Sequence, residues 1–104
     1  MAEWIDVVEA AAFPAGERKV IQSDAGEILI FHRLDGYFAI EDRCSHDGGD
    51  IAQGVCEGDE IICPRHGARF CIKTGEALTP PAFEDIETFP VRVHKGMLQV
   101  DIDS

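Results

Sequence analysis

The stretch KVIQSDAGEILIFHRLDGYFAI, residues 19–40, decides the fold class. Lys19-Val20-Ile21, the segment 27–33 and Tyr37-Phe38-Ala39-Ile40 are rich in β-branched and aromatic residues, and turn formers separate them at Ser23-Asp24-Ala25-Gly26 and Asp35-Gly36. Apolar runs at this spacing predict antiparallel strands, with Asp35-Gly36 a type I′ hairpin signal. Towards the start, Trp4, Ile5 and Val7 predict a short strand, and Trp4 is expected to pack the base of the fold. Glu9-Ala10-Ala11-Ala12 then predicts at most one helical turn, closed by Phe13-Pro14-Ala15-Gly16. Beyond Pro80-Pro81, returning strands are expected at Ile86-Glu87-Thr88-Phe89, Val91-Arg92-Val93-His94 and residues 97–102, the last two joined by a turn at Lys95-Gly96. Val91/Val93 and Leu98/Val100/Ile102 alternate at period two, and no 11-residue window sustains a helical period, so the class is all-β.

Residues 43–75 break this pattern. They hold six of the ten glycines and all four cysteines. With 104 residues the chain makes one domain. The simplest layout is an antiparallel β-sandwich or open barrel base, residues 1–42 and 76–104, carrying a loop-rich subdomain inserted at about 43–75.

Nine Lys+Arg against 20 Asp+Glu leave a net charge of −11, which argues against nucleic acid or anionic membrane as a partner and favours a protein with a basic face. Ala10-Ala11-Ala12-Phe13 and Ile28-Leu29-Ile30-Phe31 are the longest apolar runs, far short of the ~20 residues that span a bilayer. No signal peptide is expected, and the cytoplasm is the expected compartment. Four cysteines in a reducing compartment point to metal ligands or free thiols rather than a disulfide framework.

Two of those cysteines are followed closely by histidine: Cys44-Ser45-His46, and after sixteen residues Cys63-Pro64-Arg65-His66. Thiolates are soft donors and neutral imidazoles borderline ones, so the two pairs complete a four-ligand set for iron or zinc once the chain folds back. Asp47-Gly48-Gly49-Asp50 and Gly67 supply turn-prone backbone that can wrap closely around a compact inorganic group.

C-x-H followed by C-P-x-H-G resembles the Rieske-type [2Fe-2S] proteins, and specifically their soluble ferredoxins. The likeness extends to Phe38-Ala39-Ile40, to Arg69-Phe70-Cys71-Ile72-Lys73-Thr74-Gly75 and to Phe89-Pro90-Val91-Arg92-Val93, about 100 residues in all. It implies one [2Fe-2S] cluster, with Cys44 and Cys63 on one iron and His46 and His66 on the other, solvent-facing one. It implies an electron carrier between a flavin reductase and a ring-hydroxylating oxygenase, itself no enzyme and with nothing that demands more than a monomer. Small subunits or partners of nitrite reductases and of cluster-assembly systems share the pattern. Replacing two anionic thiolates by neutral imidazoles raises the potential into the range of ~−150 to +300 mV. The high-potential members carry an additional cysteine in each loop, where this chain has Gly49 and Arg65, and hydroxyl side chains where it has Ala68 and Phe70. The low end of the range is therefore expected.

A structural zinc site with the same four ligands is the competing expectation, although zinc modules usually begin C-x2-4-C and end H-x3-5-H. An all-thiolate cluster from Cys44, Cys56, Cys63 and Cys71 fits less well, because its gaps differ from the plant-type run. Cys56 and Cys71 are expected to be small, partly buried thiols, and His32 and His94 receive no role. Residues 43–73 carry four basic and five acidic side chains, so a nearly neutral tip sits on a base that holds the remaining −10.

Overall fold

The computed structural model describes residues 2–103. Ten strands follow in order: β1 Trp4–Glu9, β2 Arg18–Ser23, β3 Gly26–Arg33, β4 Gly36–Glu41, β5 Cys56–Glu57, β6 Glu60–Ile62, β7 Arg69–Cys71, β8 Thr88–Phe89, β9 Val91–His94 and β10 Met97–Asp101. All pairings are antiparallel, in three sheets ordered β1-β10-β9, β2-β3-β4-β8 and β5-β6-β7. The only helical piece among the described residues is a 3-10 turn at Ala10–Ala12, so Glu9 ends β1 instead of opening a helix.

β3 explains the architecture. Side chains alternate across a strand, and Ile28-Leu29-Ile30-Phe31 is apolar on both faces. Ile28 and Ile30 join Phe13, Ala39, Phe89, Leu98 and Val100 in a core between the first two sheets, which form the base. Leu29 and Phe31 face the other way, into a core with Ile40, Ile51, Ile61, Phe70, Ile72 and both Cys44 and Cys63. One strand is thus the shared wall of two hydrophobic cores.

The two base sheets are joined through Pro90, which lies alone between β8 and β9. Proline has no N–H to extend a ladder, so the chain leaves one sheet there and enters the other. The loop-bearing half leaves the base after Glu41 and returns at Glu87, where the Glu41 N–H donates to the Glu87 carbonyl at 2.9 Å and the Glu87 N–H to Glu41 Oε1 at 3.0 Å. Segment 76–86, expected with the base, is tied instead to the inserted half: Cys71 N–H donates to the Glu76 carbonyl, Leu78 N–H to Arg69, and Ile86 N–H to Gly75. Of the expected strand at 86–89, only Thr88–Phe89 pairs.

Asp35-Gly36 does not form the expected type I′ turn. Arg33 pairs with Gly36, so Leu34 and Asp35 are the central residues, and the positive φ falls on Gly36, at 139°, beyond them. Type I′ geometry appears at Lys95 and Gly96, with φ of 52° and 80° between the paired His94 and Met97. Trp4 on β1 is half-buried under the Arg92 guanidinium, 4.0 Å from its ring centroid, and stays outside the base core it was expected to pack.

Candidate metal centre

The two Cys/His segments fold into loops with the same backbone scaffold. In the first, the Cys44 N–H donates to the Gly49 carbonyl at 2.7 Å and the Gly48 N–H to the Cys44 carbonyl at 2.7 Å. In the second, the Cys63 N–H donates to the Ala68 carbonyl at 2.7 Å and the Gly67 N–H to the Cys63 carbonyl at 3.0 Å. Gly48 and Gly67 share a φ of 76°, a left-handed conformation that favours glycine at the fourth position after each cysteine. The common interval Cys44-x3-Gly48 and Cys63-x3-Gly67 is visible in the sequence and marks this equivalence, beneath histidine spacings that differ by one residue.

The donors sort by chemistry. Cys44 and Cys63 are 0% and 1% exposed, at the floor of the second core, whereas His46 and His66 are exposed. The thiol sulfurs lie within 4.8 Å of one another, as do donor nitrogens of the two imidazoles, whose rings meet edge-on with centroids 4.9 Å apart. A thiol pair beneath an imidazole pair fits a binuclear cluster with two thiolates on one iron and two imidazoles on the other. Burial pushes the Cys44 thiol up, opposed by hydrogen bonds from the backbone of His46 and Asp47 that favour its thiolate. Ala68 and Phe70 are fully buried in the same core as the thiols and bring no hydroxyl, and the Ser45 hydroxyl is spent on the Glu84 carbonyl at 2.5 Å.

Asp47 stands between the pairs, with a carboxylate oxygen within 4.8 Å of each. Three hydrogen bonds hold it, and His66 Nδ1 lies 3.6 Å from Oδ2. Oδ1 accepts from the Gly49 N–H at 2.9 Å and from Arg65 Nη2 at 3.0 Å, and Oδ2 accepts from Arg65 Nε at 2.6 Å. The guanidinium holds the Asp47 carboxyl well below the usual carboxylate range, and Asp47 in turn raises Arg65. Asp47 thus bridges the two loops through Arg65.

Three further anchors escaped the sequence reasoning. Buried Asp42 accepts at one oxygen from the N–H groups of Ile51 and Ala52, at 3.0 and 2.9 Å, and so fixes the chain leaving the first loop. Arg18 reaches from β2 to the carbonyls of Ala52 and Gly54, both at 2.8 Å, and to Cys56 Sγ at 3.1 Å. Arg33 binds the Gly58 carbonyl and lies 3.4 Å from Asp59. Each depends on partners far apart in sequence, so only the isolated charge was visible there. His32 is structural, with Nδ1 donating to the Phe13 carbonyl at 2.6 Å and its ring stacked 4.2 Å from Tyr37. Cys56 and Cys71 are half-buried and unbridged.

Comparison with known proteins decides the family, because the Rieske [2Fe-2S] domain pattern matches residues 3–90. The chain belongs to the Rieske [2Fe-2S] family. It is 37% identical over 94 residues to the 3-phenylpropionate/cinnamic acid dioxygenase ferredoxin subunit of Shigella flexneri serotype 5b (strain 8401), covering 88% of this chain and 87% of that one. Among solved structures, this Rieske chain superposes with a TM-score of 0.87 and 26% identity on a chain from the complex of reduced oxygenase and oxidised ferredoxin in carbazole 1,9a-dioxygenase, covering 97% of this chain and 94% of that one. The Sphingomonas yanoikuyae B1 ferredoxin gives a TM-score of 0.83 at 26% identity, with 95% and 98% covered. No helix of the described residues is long and apolar enough to cross a membrane.

Proposed function

We propose that this protein is a one-electron carrier of the cytoplasm, holding a single [2Fe-2S] cluster through Cys44 and Cys63 on one iron and His46 and His66 on the other. The observation that carries this reading is the segregation of the donors, with two buried thiols below and two exposed imidazoles above. A single tetrahedral zinc would need all four donors in one cage. Bound there, the cluster supplies a centre that takes up and releases one electron. The chain's own residues do the rest. The apolar floor excludes water from the thiolates, the rigid loops limit reorganisation, and the exposed imidazole edges give a partner close approach.

The partners we propose are a flavin reductase as donor and a terminal oxygenase as acceptor, supported by the ferredoxin relatives in sequence and by the structural match to a chain of an oxygenase–ferredoxin complex. The chain's net charge of −11 favours partners with a basic face, and the nearly neutral tip leaves the imidazole edges free of repulsion at contact. Because Ala68 and Phe70 bring no hydroxyl to the site, the potential belongs at the low end of ~−150 to +300 mV.

The test is iron and sulfide analysis together with a reductive titration of the purified protein. Two irons, two sulfides and one electron per chain are expected, followed by reduction by a flavin reductase at a rate that falls as ionic strength rises. Zinc without iron would overturn the reading, and a rate indifferent to salt would overturn the electrostatic part of it.

A further inference from the structure

The two ligand loops are tied together by a side-chain device that family membership does not assign. Arg65 lies in the second loop, yet three of its nitrogens donate into the first: Nε and Nη2 to the two oxygens of Asp47 at 2.6 and 3.0 Å, and Nη1 to the Asp50 carbonyl at 2.8 Å. This is a bidentate fork, the geometry in which an arginine–carboxylate pair is directional as well as charged. The Gly49 N–H orients the carboxylate from the other side, at 2.9 Å. The guanidinium occupies the space over Gly49, where a Cβ would come within 2.7 Å of Arg65 Cζ. Gly49 does not adopt a positive φ, so a side chain there would displace the Arg65 guanidinium rather than strain the backbone. The pair is neither deeply buried nor free in solvent, with side-chain exposures of 37% for Arg65 and 21% for Asp47.

We propose that Asp47 and Arg65 form an ionic clamp that holds the two loops in mutual register, making them positioning residues for retention of the cluster. The proposal rests on the ligand assignment above, but its mechanical content concerns only the loops. A noncovalent clamp is indifferent to the thiol–disulfide state of the compartment, which suits a chain whose four cysteines are all unbridged.

The experiment compares the wild-type protein with Asp47→Asn, Arg65→Gln, the double variant and Arg65→Lys, timing cluster loss under chelator challenge at low and high salt. Each single neutral variant is expected to lose its cluster about fivefold faster, the scale of a well-formed, partly exposed ion pair. The double variant should be no faster than either single one, because both remove the same interaction. Arg65→Lys should recover only part of the loss, and high salt should accelerate the wild type while leaving the double variant unchanged. Reduction potential separates the clamp from simple charge effects: Arg65→Gln should lower it, Asp47→Asn raise it, and the double variant return it towards wild type without restoring retention.

Multiplicative single effects in the double variant, or unchanged half-lives throughout, would overturn the clamp. Should a variant fail to fold, Gly49→Ala displaces the guanidinium with both charges kept and is expected to show the same faster loss; wild-type retention there would count against the proposal. If the wild type holds no iron, the ligand assignment fails separately. The clamp then stands or falls on whether the Gly48 and Gly67 amides of that chain exchange faster in the double variant than in the wild type.

Discussion

Ile28 and Ile30 on one face of β3, and Leu29 and Phe31 on the other, begin two cores that are closed by different means. The base core is roofed by strand ladders, including the six-residue pairings of β3 with β2 and β4. The second core is covered by strands of only two or three residues, and its edges are pinned by side chains: Asp42 on residues 51–52, Arg18 on residues 52–56, and Arg65 across the two loops. Strand ladders form from the chain's own backbone. The loop cover holds its backbone bonds in short turns, such as Gly48 to Cys44 and Gly67 to Cys63, rather than in long ladders, and its floor includes the two thiols proposed as metal ligands. On the proposed ligand assignment, the expectation is that the loop half depends on bound metal more than the base does.

The sharpest way to break this contrast is Cys63→Ser, which removes one thiolate from the buried pair. Complete loss of the cluster is expected, with the far-ultraviolet sheet signal and the Trp4 environment kept; a variant that loses both together would show that the halves fold as one. Ile30→Ala should act on the other side, lowering global stability in denaturant by about 2–5 kcal/mol through the cavity it opens in the base core. Its cluster spectrum should be unchanged under native conditions. Arg18→Ala lies between the two, cutting three hydrogen bonds from β2 to the loop half. About 1 kcal/mol of stability should go with it, and chelator-driven cluster loss should quicken more than global unfolding does. The smallest effect is expected for Arg92→Ala, about 0.5 kcal/mol by denaturant titration, since its stacking on Trp4 is a surface contact at the far side of the base.

The halves also differ in how far the sequence discloses them. Base strands carry local signals, namely alternation at Leu98/Val100, apolar runs such as Ile28-Leu29-Ile30-Phe31 and turn residues between them, because each must expose a periodic apolar face wherever it ends up. The Asp35-Gly36 reading erred because a glycine supplies positive φ after a turn as readily as inside one, and the paired residues decide which. The candidate ligands stood out for a chemical reason: thiol and imidazole in the same short segment, twice, have few other uses, and the fold brings the two thiols and the two imidazoles together. The turn expected over residues 9–12 is present as the 3-10 turn Ala10–Ala12, whereas the attachment of residues 76–86 to the loop half was not visible, since it is settled by hydrogen bonds such as Leu78 to Arg69 and Ile86 to Gly75. Asp47 and Arg65 were visible only as charges, eighteen residues apart, until the folded loops brought them to 2.6 Å.

The account turns on which atoms touch the metal, and pulsed electron paramagnetic resonance of the dithionite-reduced protein asks that directly. Two distinct nitrogen couplings are predicted, one of them lost or replaced when His66 is changed to Cys. A reduced cluster with no coupled nitrogen, or an unchanged spectrum in His66→Cys, would contradict the assignment of the two imidazoles and with it the division of the site into a buried thiolate floor and an exposed histidine edge.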